Sequence, residues 1–235
     1  MSSGDFIYQG SELELFANAV NWKNYWSAQV RKHLGQDVLE VGAGNGVNTP
    51  YLNKGAREWV CLEPDSSMAH KLDQRQRANQ LPATRVVAGT IVDLPATPSF
   101  DSIIYIDVLE HIEDDAAEVM EAVRRLRPGG NLIVLGPAHN WLFSPFDRAV
   151  GHFRRYSAAD LRALTRPELK LISLRELDFV GILASLANRS VLKQDIPTVS
   201  QILLWDRFIV PISRLLDPLV RYSFGKTIMA VWQRR

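Results

Sequence analysis

The 235-residue sequence contains a single cysteine and no excess of charge of either sign. The lone Cys61 excludes a disulfide within the chain and a cysteine-rich metal site, and it is typical of a reducing compartment. The 27 Lys and Arg residues balance 26 Asp and Glu residues, so the formal net charge is +1. Because proteins that bind DNA or RNA usually carry a basic excess or a concentrated basic face, we expect no nucleic-acid partner.

Long hydrophobic runs and a targeting segment are lacking as well. The first residues show no basic start followed by an apolar run, so we expect no secretory peptide and a cytoplasmic protein. The stretch that comes nearest to a membrane span, residues 202–220, is interrupted by four charged residues. What is present is ordinary globular composition, 46% apolar and 23% charged, which suits one good-sized domain.

Short apolar runs alternate with helical patterns along the chain. The predicted strands are residues 38–41, 59–62, 85–88, 102–106, 132–135, 169–177 and 226–231. The predicted helices are residues 11–34, 47–54, 66–80 and 118–126, with an apolar helical segment at 180–220 that three prolines break. Because strands that helices separate usually pair in parallel, the sequence predicts an α/β fold with a doubly wound sheet and helices on both faces.

A glycine-rich turn follows the first predicted strand, with Gly42, Gly44 and Gly46 spaced as G-x-G-x-G. Glycine allows positive φ and a close approach of the backbone to a ligand, and the next helix offers free N–H groups. The spacing differs from the G-x-G-x-x-G of dinucleotide sites. Glu63 ends the second strand 21 residues after Gly42, where a carboxylate can accept hydrogen bonds from two ribose hydroxyls. Together these features indicate a ligand that contains a ribose.

Five segments together resemble the class I S-adenosylmethionine (SAM)-dependent methyltransferases. They are residues 40–46 (Glu-Val-Gly-Ala-Gly-Asn-Gly), 63–65 (Glu-Pro-Asp), 89–95, 100–112 and 126–132. The resemblance covers roughly residues 35–180 and returns at the C-terminus. It implies a Rossmann-like seven-stranded sheet, mostly parallel with the last strand antiparallel. It also implies SAM as the methyl donor and S-adenosylhomocysteine (SAH) as the product.

The resemblance implies a cofactor site at the carboxyl ends of the first four strands. The expected cofactor-binding residues are Glu40, Gly42, Gly44, Gly46, Glu63, Pro64, Gly89, Thr90, Ile91, Asp107 and Val108. The family more often has an acid at the position of Thr90, where this chain offers only a hydroxyl. We expect this departure to weaken the contact with the adenine without removing the backbone contacts.

A second and narrower resemblance lies after the fifth strand. Residues 145–156 are similar to a segment of the broad ubiquinone/menaquinone-type group of small-molecule methyltransferases. This loop is expected beside the methyl donor, where open α/β sheets bind ligands. The resemblance and the residue types together point to His152 and His111 as catalytic residues, and to Asp147, Arg154, Arg155 and Tyr156 as substrate-binding residues.

The chemistry of these side chains leaves alternatives open. A hydroxyl acceptor needs a base, and a histidine with an unperturbed pKa near 6.5 suits that role. The two arginines either clamp a carboxylate or phosphate or pair with Asp147 and Asp160. Asp107, Glu110 and His111 are residue types for a divalent-metal site, but no fourth ligand is evident, and we predict no metal.

The sequence therefore predicts a methyltransferase that acts on an oxygen or nitrogen of a small molecule with an anionic group. One domain over residues 1–235 is expected, divided into an N-terminal lid or helix (1–35), a SAM-binding core (36–136), a substrate-loop insertion (137–167) and the C-terminal strands (168–235). Two alternatives stay open. One is a membrane-surface enzyme for lipid-linked saccharides or quinone-like substrates, with a peripheral membrane contact through the apolar, Arg-containing residues 202–221. The other is a non-catalytic SAM-binding module, and a homodimer is also open.

Overall fold

A seven-stranded mixed sheet forms the centre of the protein. The computed structural model describes residues 16–187 and 198–235. The strands are β1 (Asp37–Val41), β2 (Glu58–Glu63), β3 (Arg85–Ala88), β4 (Phe100–Ile106), β5 (Leu126–Pro137), β6 (Leu169–Leu177) and β7 (Thr227–Arg234). Their order is β3-β2-β1-β4-β5-β7-β6, and β7 runs antiparallel to β5 and β6 while the other pairs are parallel. The predicted fold class is confirmed.

Helices cover both faces of this sheet. They are α1 (Val20–Val30), α2 (Thr49–Leu52), α3 (Ser66–Arg77), α4 (Asp115–Arg125), α5 (Pro145–Ala149), α6 (Ala158–Ala163), α7 (Phe179–Ala187), α8 (Val199–Leu204) and α9 (Val210–Leu216). Side chains alternate between the faces of a strand, so Leu39 and Val38 belong to two different apolar clusters. Every residue of β1 is buried, which is typical of a parallel strand between two helical layers.

The ends of several elements differ from the sequence prediction. The predicted strand 132–135 is only part of β5, because Leu126 already pairs with Phe100 and residues 127–130 bulge before the pairing resumes at Asn131. The predicted helix 11–34 corresponds to α1 flanked by two 3₁₀ turns, Phe16–Asn18 and Arg31–His33, while residues 11–15 lie outside the described residues. The division of the domain into four segments stays a prediction.

The apolar segment at 180–220 forms several helices rather than one. A π-helical turn, Trp205–Ile209, joins α8 to α9. Pro211 follows in the first turn of α9, where proline is tolerated because the N–H groups of that turn have no partner within the helix. Pro197 lies outside the described residues. In the described ranges, no helix has the length and apolar character needed to cross a bilayer.

Candidate functional site

The glycine-rich loop after β1 packs closely against the end of β4. The φ angles of Gly42, Gly44 and Gly46 are +64°, +58° and +76°, a region that favours glycine. A Cβ atom on Gly42 would lie 2.6 Å from Cγ2 of Val108, and one on Gly46 would lie 2.4 Å from Cδ1 of Leu72. The loop therefore needs glycine for its backbone conformation and for the space that its neighbours leave.

Glu63, at the carboxyl end of β2, is bound to this loop. Its Oε2 accepts a hydrogen bond from the N–H of Gly44 at 2.7 Å, and its Oε1 accepts one from the N–H of Asp65 at 2.9 Å. Burial raises the pKa of Glu63, although these two hydrogen bonds act in the opposite direction. A carboxylate has about four acceptor positions, so Glu63 keeps acceptor capacity for two further donors. Pro64, which lies between Glu63 and Asp65 in the chain, is half-buried.

Glu40 lies deeper in the structure than the loop that it precedes. Its Oε2 accepts hydrogen bonds from Oγ1 of Thr49 at 2.9 Å and from Nε1 of Trp59 at 2.8 Å. Burial raises the pKa of Glu40 to about 7. These contacts tie β1 to α2 and β2, so the structure gives Glu40 a role in supporting the loop. Its direct contact with a cofactor stays a prediction.

An unpartnered acceptor lies within the loop itself. The Oδ1 atom of Asn45 is buried, and it has no hydrogen-bond partner among the described residues. A buried acceptor without a partner costs free energy. A donor group on a bound ligand would remove this cost, so the loop fits a ligand with hydroxyl or amino groups.

The segment after β3 closes the same edge of the sheet. The N–H of Gly89, at φ +144°, donates to the carbonyl of Glu63 at 2.9 Å. The hydroxyl of Thr90 donates to Oδ2 of Asp93 at 2.9 Å, and Ile91 is buried in an apolar cluster. Gly89 therefore lies beside Glu63, while contacts of Gly89, Thr90 and Ile91 with an adenine stay predictions.

The chain turns sharply at the carboxyl end of β4. Asp107 is exposed and has φ +54°, and its N–H donates to the carbonyl of Leu135 at 2.8 Å. Val108 then packs on Gly42, and a 3₁₀ turn, Leu109–His111, follows. His111 therefore lies only three residues along the chain from Val108, which contacts the glycine loop.

The two histidines that the sequence predicted as catalytic lie side by side. The ring centroids of His111 and His152 are 4.6 Å apart, and the rings meet edge to face at 82°. Burial, and then the nearby His152, lower the pKa of His111 to about 4. His111 is therefore neutral at pH 7. The structure brings together two residues that are 41 positions apart in the sequence.

A buried carboxylate orients His152. Oδ1 of Asp147 lies 2.9 Å from Nδ1 of His152, and the guanidinium of Arg155 binds both oxygens of Asp147 at 2.8 and 3.0 Å. Burial alone would raise the pKa of Asp147, but hydrogen bonds from His152 and Arg155 hold it well below its ordinary value. An ionised Asp147 accepts a hydrogen bond from the Nδ1–H of His152, which leaves Nε2 as the basic nitrogen of the neutral ring.

Glu110 lies on the other side of His152. Its Oε1 is 3.9 Å from Nε2 of His152, and neither carboxylate oxygen has a hydrogen-bond partner from another described residue. Burial, and then the charge of Asp107, raise the pKa of Glu110 well above its ordinary value. Sequence reasoning considered Glu110 only as a metal ligand, and no local pattern indicates that its side chain is buried.

The remaining residues of the predicted acceptor loop hold that loop in place. Nη1 of Arg154 lies 2.7 Å from Oδ2 of Asp115, and its Nη2 donates to the carbonyl of Glu113. The hydroxyl of Tyr156 lies 2.9 Å from the same Oδ2 of Asp115, and Tyr156 is 1% exposed. The contacts of Arg154 and Tyr156 connect the loop to the start of α4, whereas the ion pair of Arg155 with Asp147 lies within the loop itself. Contacts of Arg154, Arg155 and Tyr156 with a substrate stay predictions.

Three of the side chains in this region are also able to ligate a cation. Potential ligand atoms of Glu110, His111 and His152 lie within 4.8 Å of one another. They differ from the sequence-based candidate set, because His152 takes the place of Asp107. The prediction that the protein uses no metal stays a prediction.

The comparisons with known proteins agree with this geometry. A family model described as a methyltransferase domain matches residues 39–134. A probable SAM-dependent methyltransferase of Mycolicibacterium smegmatis is 30% identical over 161 residues, covering 60% of this chain and 58% of that protein. A demethylmenaquinone methyltransferase of Tropheryma whipplei is 28% identical over 144 residues, covering 60% of this chain and 59% of that protein. The chain thus spans less than two thirds of the length of these curated relatives.

The solved structures show the same fold. The structure of a coclaurine N-methyltransferase bound to N-methylheliamine and SAH has a TM-score of 0.61 at 14% identity, covering 92% of this chain and 70% of that one. The residues that match the family model run from β1 to β5 and include the glycine loop, Glu63 and the turn after β4. In its strand order and in its named relatives, the chain is similar to the class I SAM-dependent methyltransferases.

Proposed function

We propose that this protein transfers the methyl group of SAM to a hydroxyl oxygen of a small-molecule acceptor, and that His152 accepts the proton of that hydroxyl. The observation that carries the proposal is the hydrogen bond between Asp147 and Nδ1 of His152. It holds the ring in one orientation and leaves Nε2 free to act as a base. This pair lies in the loop after β5, beside His111 in the turn after β4.

The residues at the ends of β1 and β2 fit the methyl donor. When bound, SAM supplies a methyl group that is already activated by a sulfonium. The carboxylate of Glu63 would accept hydrogen bonds from ribose hydroxyls, and the positive-φ loop at Gly42 and Gly44 would allow a close backbone approach. Val108 connects this site to the histidines, because it contacts Gly42 and lies in the turn that carries His111.

The choice of an oxygen acceptor follows from the base. A neutral amine has a lone pair ready to attack, whereas a hydroxyl becomes a good nucleophile only as its proton is removed. His111, with a pKa of about 4, stays neutral beside His152 at pH 7. It therefore adds no positive charge that would oppose the transfer of the hydroxyl proton to His152. Arg154 and Arg155 are paired with Asp115 and Asp147, so we assign no anionic group to the acceptor.

Calorimetry tests the donor site without any knowledge of the acceptor. Each charge-assisted hydrogen bond to Glu63 is worth roughly 1.5–3 kcal/mol, so Glu63→Gln should bind SAM more than tenfold more weakly. Glu58→Gln, at the exposed start of the same strand, is the matched control and should bind SAM like the wild type. Tighter binding of NAD than of SAM by the wild type would contradict the donor assignment.

Methyl transfer tests the role of His152. With SAM labelled in the methyl group and a mixture of small hydroxyl-containing molecules, the wild type should label an acceptor that can be identified by mass spectrometry. His152→Gln should lower kcat by about 10²–10⁴-fold and leave the affinity for SAM unchanged. His70→Gln, on the exposed side of α3, is the control. Unchanged kcat in His152→Gln would refute the role of the base.

A further inference from the structure

The segment from α8 to the turn after α9, residues 198–221, exposes apolar side chains and buries acidic ones. Five large apolar side chains lie on its outer side, 48 to 77% exposed: Leu204, Phe208, Ile212, Leu215 and Leu219. They follow Leu204 by 4, 8, 11 and 15 residues, the spacing of one side of a helix. The structure places this stripe in solvent rather than against the sheet. We call it the outer face.

The acidic side chains of the same segment point inward instead. Asp206 accepts hydrogen bonds from the backbone N–H groups of Asn21 and Trp22 at the start of α1. Asp217 accepts bonds from Tyr25 and from the backbone N–H of Asp178 and Phe179 at the start of α7. Both carboxylates are buried. They are the only acids between residues 198 and 221, so the outer face carries no negative charge.

Three arginines flank the exposed apolar stripe. Arg207, Arg214 and Arg221 follow one another at intervals of seven residues, and all three are exposed. The chain as a whole has a net charge of +1, so this positive charge is a local feature. An exposed surface of leucine and phenylalanine flanked by arginine, without an acid, is typical of segments that lie on an anionic membrane.

Exposed aromatic side chains continue this surface toward the loop that carries His152. Phe224 is 38% exposed and comes three residues after Arg221, and its ring centroid is 5.0 Å from that of His139. The ring of His139 in turn lies 5.5 Å from that of Trp141, which is 48% exposed. Aromatic side chains of this kind are enriched where proteins meet the headgroup region of a bilayer.

We propose that the outer face docks this protein on the surface of an anionic phospholipid membrane. The apolar stripe enters the boundary between headgroups and acyl chains, and the three arginines contact the lipid phosphates. A second copy of this chain suits the face less well. In a two-fold dimer the same patch meets itself, which would bring six arginines together with no acid on the face to pair with them. The proposal does not depend on the identity of the methyl acceptor.

Vesicle flotation of the full chain without SAM tests the proposal. The protein should float with vesicles of phosphatidylcholine and phosphatidylglycerol, and not with vesicles of phosphatidylcholine alone. Added salt should weaken the binding because it screens the arginines. The triple variant Arg207→Gln, Arg214→Gln, Arg221→Gln should bind about a hundredfold more weakly, since each arginine near an anionic surface contributes a factor of about five.

A second triple variant controls for net charge. Arg77→Gln, Arg85→Gln, Arg162→Gln removes the same charge from exposed positions elsewhere, and it should bind vesicles like the wild type. Equal losses in both triple variants would overturn the assignment of the outer face. A wild type that fails to float would also overturn it, and a dimer in sedimentation velocity that Leu215→Ser abolishes would assign the face to a second copy.

Discussion

Replacing the buried acid beside His152 should make the protein more stable, although the change removes no clash and adds no contact. Glu110 is fully buried, and its carboxylate oxygens have no hydrogen-bond partner from another described residue. Burial, followed by the charge of Asp107, raises the pKa of Glu110 well above its ordinary value. The folded protein therefore keeps a proton on Glu110 to a higher pH than the unfolded chain does. Glu110→Gln mimics this protonated form and needs no proton.

The magnitude follows from the difference in bound protons. In the unfolded chain Glu110 loses its proton near pH 4.3. Below that pH Glu110 is protonated in both the folded and the unfolded chain, so its contribution to stability is fully present. As the pH rises toward the folded-state pKa, the wild type loses about 1.4 kcal/mol of unfolding free energy per pH unit relative to Glu110→Gln. For a chain of this size that corresponds to roughly 3–6 °C in Tm per pH unit. The advantage of the variant should grow steadily above about pH 5.

Thermal unfolding followed by circular dichroism at a series of pH values measures this difference. Glu113→Gln, three residues away and exposed, is the matched control, and its difference from the wild type should not change with pH. A Glu110→Gln variant that is less stable than the wild type by the same amount at every pH would refute the reasoning. That result would mean that the pKa of Glu110 is the same in the folded protein as in the unfolded chain.

Two further substitutions test the glycine loop and the support of His152. Gly42→Ala should lower the Tm and abolish SAM binding in calorimetry, because the new Cβ atom meets the stiff Val108 side chain at 2.6 Å. The control Gly55→Ala, at positive φ but in open space, should only lower the Tm. Asp147→Asn should cost about 3–5 kcal/mol because it leaves a buried Arg155 without its counter-charge, a loss of roughly 6–20 °C in Tm. Folding lowers the pKa of Asp147, so its contribution to the free energy of unfolding is present above about pH 4 and is lost as the pH falls further. A wild type with equal stability at pH 2 and pH 7 would contradict this.

The strands could be predicted well where short apolar runs lie between polar residues. Residues 85–88 and 169–177 were predicted with the bounds that β3 and β6 have in the structure. β5 begins six residues earlier than predicted, because its start depends on the pairing of Leu126 with Phe100. A pairing between residues 26 positions apart leaves no local mark in the sequence.

The site could be predicted in its components and only partly in its contacts. The loop after β5 and the turn after β4 were expected to face the same edge of the sheet, and the structure brings His111 and His152 together there. The expected alternative of an ion pair with Asp147 holds for Arg155. Arg154 pairs with Asp115 rather than with Asp160. Several acids lie within reach of each arginine in the sequence, and only the packed chain decides between them.

Residues 198–221 are a stronger case in which the sequence pattern alone does not predict the side chains that are buried. A helical pattern with leucines on one side and aspartates on the other predicts buried leucines, yet the structure buries Asp206 and Asp217 and exposes Leu204 and Leu215. The reason is that the free N–H groups at the starts of α1 and α7 need acceptors, and these two carboxylates supply them. A charged carboxylate that accepts such bonds can be buried at moderate cost, and its burial turns the opposite side of the helix outward. The exposed apolar surface is therefore a consequence of how two other helices begin, which the pattern of this segment alone cannot reveal.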